Sequence, residues 1–150
     1  MRPPKILAPP VIGLLWLGVG LLFRWALAFP AVVPRPWHLL GWALVGGGLS
    51  VPLVSVKRFR RAGTRPRPWE TPTALVAAGL YRFTRNPMYL GMATALLGAA
   101  VLLRTPEMLA VPIAFLFTLN ATWVPYEESV LSTRFGAAYD DYRRRVRRWL

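Results

Sequence analysis

The sequence predicts an all-α integral membrane protein with about four transmembrane helices and a C-terminal amphipathic helical segment on the cytoplasmic face. Three observations predict this. Of the 150 residues, 55% are hydrophobic, and these lie in long blocks instead of at amphipathic spacing. Basic residues gather between alternate blocks. After the last block, apolar residues recur at steps of three and four. A chain of this length fits one domain, taken as residues 1–150.

The apolar blocks run over 10–29, 37–56, 88–103 and 108–124. Each has roughly 16 to 20 residues, enough for a hydrocarbon core of about 30 Å at 1.5 Å rise per residue. A soluble domain of this size has too little remaining chain to cover four such helices. The N-terminus, with "MRPPK", an apolar stretch and Ala26-Leu27-Ala28, mimics a signal peptide. Arg24 and Trp25 interrupt that pattern, so the stretch is read as the first span, with Arg24 able to snorkel at its outer end. The second span carries Gly46-Gly47-Gly48, read as a close-packing element, and Pro52, which kinks a helix unless neighbours satisfy the freed carbonyl.

The formal net charge is +13, and its placement argues against nucleic acid as a partner. Lys57, Arg58, Arg60, Arg61, Arg65, Arg67, Arg82 and Arg85 fall between the second and third spans. Arg134, Arg143, Arg144, Arg145, Arg147 and Arg148 follow the fourth, and Arg2 and Lys5 precede the first. The alternate loops hold only Arg35 and Arg104. By the positive-inside bias both termini and the middle loop are cytoplasmic, in the inner (cytoplasmic) membrane. Such a basic face attracts anionic lipid head groups, at about 1 kcal/mol per charge near the surface. With no cysteine and the single His38, neither a disulfide framework nor a metal centre is expected. The oligomeric state is not legible.

Residues 57–72, "KRFRRAGTRPRPWETP", read as a basic loop, because Pro66, Pro68 and Pro72 exclude a continuous helix. "TALVAAGLY" is too short to span and suits the interface. "RTPE" joins the third and fourth spans as a tight helical hairpin. After Pro125, Leu131, Phe135, Ala138, Tyr142, Val146 and Trp149 form one apolar stripe, broken near Gly136. That segment serves as a surface anchor or as a lid over a cytosolic site.

Asn86-Pro87 is a helix-start signal, asparagine being a favoured N-cap and proline suiting the first helical position. The third span therefore begins there. Its free amides and dipole suit an anionic group, with Tyr81 and Tyr89 on either side. Glu127 and Glu128 are the acidic residues near the cytoplasmic end of the fourth span. Adjacent helical residues point about 100° apart, so the two have different roles. Either both complement a helix dipole, or one faces Asn86 and binds a cationic or hydroxyl-bearing ligand. S-adenosyl-L-methionine has an amino-acid end, a ribose diol and a sulfonium, and would use both features.

"LVAAGLYRFTRNPMYLG" together with "YEESVLSTRFGAAYDDYRRRV" resembles the integral membrane methyltransferases of the isoprenylcysteine carboxyl methyltransferase and phospholipid methyltransferase superfamily. The shared pattern is Gly-x-Tyr, Arg-His/Asn-Pro-x-Tyr-x-Gly, a Glu-Glu pair, then Phe-Gly-x-x-Tyr-x-x-Tyr-x-x-x-Val. It covers about residues 70–148. The resemblance implies a methyltransferase using S-adenosyl-L-methionine on a membrane-embedded or amphiphilic acceptor: a lipid, an isoprenoid or a prenylated small molecule. It implies cofactor contacts by Thr73, Ala74, Leu75, Val76, Tyr81, Asn86, Pro87, Met88, Tyr89, Glu127 and Glu128, with Glu128 matching the family's cofactor-binding glutamate. No catalytic residue is assigned. The prenylcysteine enzymes carry histidine where this chain has Thr73 and Asn86, and their substrate-side arginine is unmatched in "NATWVPYEE". The cofactor site is thus better supported than any one acceptor. The alternatives are an NADPH-dependent steroid-reductase-like membrane oxidoreductase, or a non-enzymatic lipid-binding or packing protein. Met92 after Gly91, where many of those reductases carry an acidic residue, weighs against the first; the glutamate pair weighs against the second.

Overall fold

The structure, a computed structural model, describes residues 7–64 and 72–150. Arg2, Lys5 and the loop residues Arg65, Pro66, Arg67 and Pro68 lie outside the described residues. Everything regular that is described is helical: α1 (Pro9–Leu27), α2 (Leu40–Arg61), α3 (Pro87–Leu103), α4 (Pro106–Ala121), α5 (Trp123–Phe135) and α6 (Ala137–Arg145), with 3-10 turns at Trp37–Leu39 and Gly79–Arg82. Three stretches are long and apolar enough to cross a membrane: Pro9–Leu27, Trp37–Arg61 and Pro106–Phe135. α3 is a shorter apolar helix. The lipid-like exterior is plain on α1 and α2, where Leu14, Leu22, Trp25, Trp42 and Leu53 are exposed.

α3 is the hub. It packs on α2, and Ala93, Leu96 and Ala100 join Ile12, Met108, Val111, Phe115 and Leu119 in the central apolar cluster. The α2–α3 seam is set by two glycine pairs. A Cβ on Gly48 would meet the Gly91 carbonyl at 2.6 Å, and one on Gly41 would meet the Gly98 carbonyl at 2.6 Å. Both pairs are seven residues apart on each helix and run in opposite senses, so they fix an antiparallel register with backbones nearly touching. Pro52 also packs against Gly91, which sets the proline kink of α2 against the start of α3. Of the triple glycine only Gly48 packs; Gly46 and Gly47 face open space, so the close-packing role read for all three belongs to one.

Other boundaries also differ from expectation. Residues 57–61, assigned to the loop, continue α2, because no proline falls before Pro66. The hairpin between α3 and α4 forms as read, with α4 starting at Pro106. The C-terminal segment begins at Trp123, before Pro125, after a break at Thr122. Its stripe is also different. Tyr139 is the buried centre, with Tyr142 and Val146 beside it and Leu75, Leu131 and Phe135 around them, whereas Ala138 is exposed. Gly136, at φ 49°, turns the chain between α5 and α6 and rotates the stripe by a residue. Trp149 joins the central cluster instead. Near the outer end of α1, Arg24 Nη1 donates to the Leu103 carbonyl at 2.8 Å and to Thr105 Oγ1 at 3.1 Å, in the turn between α3 and α4.

Candidate active site at the start of the third apolar helix

The Asn86-Pro87 signal does start α3, with Pro87 at its first position and the Asn86 carbonyl accepting from the Leu90 amide at 3.1 Å. The Asn86 side chain, however, does not cap the helix. Its Nδ2 donates to the Arg148 carbonyl at 2.9 Å, next to a bond from Thr84 Oγ1 to the same carbonyl at 3.1 Å and from the Arg85 amide to the Arg147 carbonyl at 2.9 Å. These bonds lace the C-terminal strand of chain to the start of α3. Asn86 is buried, which makes each of them costly to leave unmade.

The two glutamates diverge, as their angular separation requires. Tyr89, one turn into α3 and buried, donates its hydroxyl to Glu127 Oε1 at 2.5 Å. Glu128 instead takes a bidentate pair from Arg148, Nε at 2.9 Å and Nη2 at 2.6 Å, while Arg85 Nη1 lies 3.2 Å from its Oε1. A fork-on-carboxylate geometry of this kind is stronger than a single neutral bond. Arg148 Nη1 continues to Asn120 Oδ1 at 3.2 Å, which also accepts from Trp149 Nε1 at 3.1 Å. Arg85 Nη1 further reaches the Tyr139 hydroxyl at 3.3 Å.

Tyr81 is buried under the same C-terminal segment. Its carbonyl accepts from the Tyr142 hydroxyl at 2.8 Å, and its ring stands edge-on to Phe59 at 5.4 Å. Burial raises the Tyr81 hydroxyl well above the ordinary phenol value, and burial also raises Tyr139. The hydrogen bond to Glu128 raises the Arg148 guanidinium. Beside Tyr81 opens a cavity of about 290 Å³ lined by Ser55, Arg58, Gly79, Arg82 and Phe83. Gly79 sits there with φ 66°, and a Cβ on it would strike the Arg58 guanidinium, so glycine is required twice over.

The expected residues thus fall into linked groups and one outlier. Tyr89 meets Glu127; Asn86 meets Glu128 through Arg148; Tyr81 is held by Tyr142. Asn86 and Glu128 do not line the cavity beside Tyr81. Leu75 packs into the Tyr139 cluster and Val76 is buried, with Ala74 partly so. Pro87 is buried and Met88 partly buried at the helix start. Thr73 stands apart, its amide donating to Thr64 Oγ1 at 3.1 Å and its hydroxyl to the Gly63 carbonyl at 3.0 Å. Arg85, Asn120, Tyr139 and Arg148 were not singled out in the sequence. Arg148 reaches Asn120 and Glu128 from the C-terminal end, a pairing only the fold can reveal.

A family model described as phospholipid methyltransferase matches residues 36–138. The chain belongs to the phospholipid methyltransferase family. It is an integral membrane protein by that membership and by its apolar helices. Over 78 residues it is 31% identical to a probable protein-S-isoprenylcysteine O-methyltransferase of Oryza sativa subsp. indica, covering 52% of this chain and 41% of the relative. Over 77 residues it is 32% identical to the protein-S-isoprenylcysteine O-methyltransferase of Saccharomyces cerevisiae, covering 51% of this chain and 32% of the relative. The chain therefore spans less than half the length of the curated relatives it matches. No solved structure matches it.

Proposed function

We propose that the chain is an S-adenosyl-L-methionine-dependent methyltransferase acting on a membrane-embedded or amphiphilic acceptor, and that the junction of α3 with α5 and the C-terminal segment holds the cofactor. Family membership supports the reaction class. One feature of the junction carries the site. Arg85 Nε is buried with no partner among the described residues, and Glu127 has one carboxylate oxygen engaged by Tyr89, leaving the other to accept. A cationic donor without a partner, on an arginine paired to Glu128, and a carboxylate oxygen left over on the adjacent Glu127 complement a ligand with a carboxylate and with ammonium or hydroxyl donors. The residues present fit the cofactor on that ground.

S-adenosyl-L-methionine supplies a methyl group already activated on a sulfonium. The chain's task is then alignment and exclusion of water. Tyr89 holds Glu127 in place, and Arg85 and Glu128 brace each other through their ion pair. Asn86, Thr84 and Arg85 fasten residues 147–148 over the helix start, shielding it from solvent. Thr73, Ala74, Leu75 and Val76, with Tyr81, Pro87 and Met88, are proposed as the remaining cofactor contacts. An acceptor carboxylate needs no proton removed.

The proposed topology has four spans, α3 counted as one, with both termini cytoplasmic and α6 on the cytoplasmic face. The basic ends of α2 and α6 support it. The acceptor is proposed to enter from the lipid side, and anionic lipids to associate with the basic face. Purified protein given S-adenosylmethionine labelled in the methyl group and a total lipid extract tests the reaction. Label in the lipid phase, lost in Glu127→Gln, supports it; a lipid phase without label at any protein level counts against it.

A further inference from the structure

A cavity of about 760 Å³ lies at the end of the bundle opposite Asn86. It is bounded by the last turn of α1, the chain between α1 and α2, and the α3–α4 turn. Arg24, Arg35, His38 and Arg104 line it, and none of the described lining residues is acidic. This concentration of cations stands at the end of the molecule where arginines are otherwise scarce. Clustered like charges beside an apolar wall call for an anionic partner.

Their hydrogen bonds leave donors over. An arginine has five N–H donors. Arg24 uses Nη1 on the Leu103 carbonyl and Thr105 Oγ1, and Arg104 uses Nε on the Val33 carbonyl at 2.7 Å. The Arg35 side chain is exposed, and His38 Nδ1 is buried with no partner among the described residues. The strap that closes the cavity is itself fixed, the Val32 amide donating to the Arg104 carbonyl at 2.7 Å. Among the described residues the two non-glycine positions with left-handed backbone are Ala28, φ 47°, and Arg104, φ 69°, and both line this cavity. Glycine would fill either position with less strain; at residue 104 the chain keeps an arginine.

The other walls are apolar and face outward. Trp25 is 82% exposed and Phe29 47% exposed, and Leu21 continues the same wall down α1. Exposed tryptophan beside arginine is what a membrane interface favours. We propose that this cavity binds the phosphate of an anionic phospholipid from the leaflet opposite the Asn86 junction, with the phosphate on Arg35, Arg104 and His38 and an acyl chain along Leu21 and Trp25. A fully aqueous anion has no use for that apolar wall, and a zwitterionic head group brings a cation that three arginines repel. The site is separate from the proposed cofactor junction and does not depend on it.

Native mass spectrometry of the full chain in detergent tests this, with phosphatidylglycerol, phosphatidylcholine and soluble glycerol phosphate as probes. Arg35→Gln should weaken phosphatidylglycerol binding about fivefold, and Arg35→Gln with Arg104→Gln about twentyfold, at about one charge contribution each. The pair Arg143→Gln and Arg144→Gln, on the basic face at the other end, should cost only additional, weakly held lipids and leave the first bound phosphatidylglycerol unchanged. Phosphatidylcholine should bind more weakly than phosphatidylglycerol. If the double variant unfolds, Arg35→Gln decides alone, because its side chain is exposed and closes no described contact. Equal retention of the first bound phosphatidylglycerol in wild type and Arg35→Gln, or its equal loss in the Arg143 and Arg144 pair, overturns the site. Glycerol phosphate binding as tightly as the lipid overturns the lipid occupant.

Discussion

The Tyr89 hydroxyl stands 2.5 Å from Glu127 Oε1, on neighbouring helices that the sequence separates by 38 residues. This bond ties the tyrosine of the Arg-Asn-Pro-x-Tyr stretch to the first glutamate of the pair. The second glutamate is already held by two arginines. We propose on that ground that Glu127 is the carboxylate that takes the ligand and that Glu128 braces the site.

Tyr89→Phe removes the donor and leaves Glu127 free to rotate. Cofactor binding should weaken severalfold because Glu127 is no longer held in place. The ring still fills its buried place, so the loss of stability should be confined to the unmade bond, about 1–3 kcal/mol. Unchanged binding of S-adenosylhomocysteine in this variant would separate the Tyr89–Glu127 bond from the ligand.

Glu128→Gln should act differently. It leaves Arg85 and Arg148 facing a neutral amide in a partly shielded place, at 14% and 35% side-chain exposure. The C-terminal segment should loosen, seen as faster proteolysis between α6 and residue 150, and binding should weaken as a consequence. Arg148→Ala should reproduce that pattern. A Glu128→Gln protein with wild-type proteolysis and weakened binding would instead return Glu128 to direct ligand contact.

The start of the site was legible and its closure was not. Asn86-Pro87 announces a helix start by local chemistry, and that start is where α3 begins. The side chain of Asn86 went elsewhere because residues 147–148 pass close enough for its Nδ2 to donate to the Arg148 carbonyl, and it does not accept from the helix amides. Arg148 could not be chosen in advance from Arg143, Arg144, Arg145 and Arg147, since α6 stops at Arg145 and the extended Val146 carries the last residues back toward Glu128. The glycines tell the same story. Gly48 differs from Gly46 and Gly47 only through the facing glycine on α3, and a facing residue is a property of register.

That register makes a stability prediction. Gly48→Ala places a Cβ 2.5 Å from the Ala95 amide nitrogen and 2.6 Å from the Gly91 carbonyl, so the helices must part, costing about 1–3 kcal/mol. Gly46→Ala and Gly47→Ala meet nothing within 4 Å and should be neutral or slightly stabilising. Melting temperatures of the three variants in one detergent check this; equal values would mean that α2 and α3 do not approach at Gly48.

Alkaline pH should open the C-terminal cluster. Burial, then the neighbouring Tyr139, pushes the Tyr142 hydroxyl from the ordinary phenol value of 10.0 up to about 12. A raised folded-state value contributes stability that is complete below pH 10 and is lost as pH rises through about 12. Deprotonation also ends the bond to the Tyr81 carbonyl. Proteolytic protection of residues 137–150 should hold to pH 10 and fall above it, with a shallower fall in Tyr142→Phe. Identical pH profiles would place the alkaline transition on other groups.

Calorimetric titration of S-adenosylhomocysteine and of NADPH into wild type and Glu127→Gln decides whether Glu127 belongs to a methyl-donor site. S-adenosylhomocysteine should bind the wild type and bind Glu127→Gln about tenfold or more weakly, and NADPH should bind neither. Binding of NADPH without S-adenosylhomocysteine, or equal S-adenosylhomocysteine affinity in both proteins, would contradict that assignment.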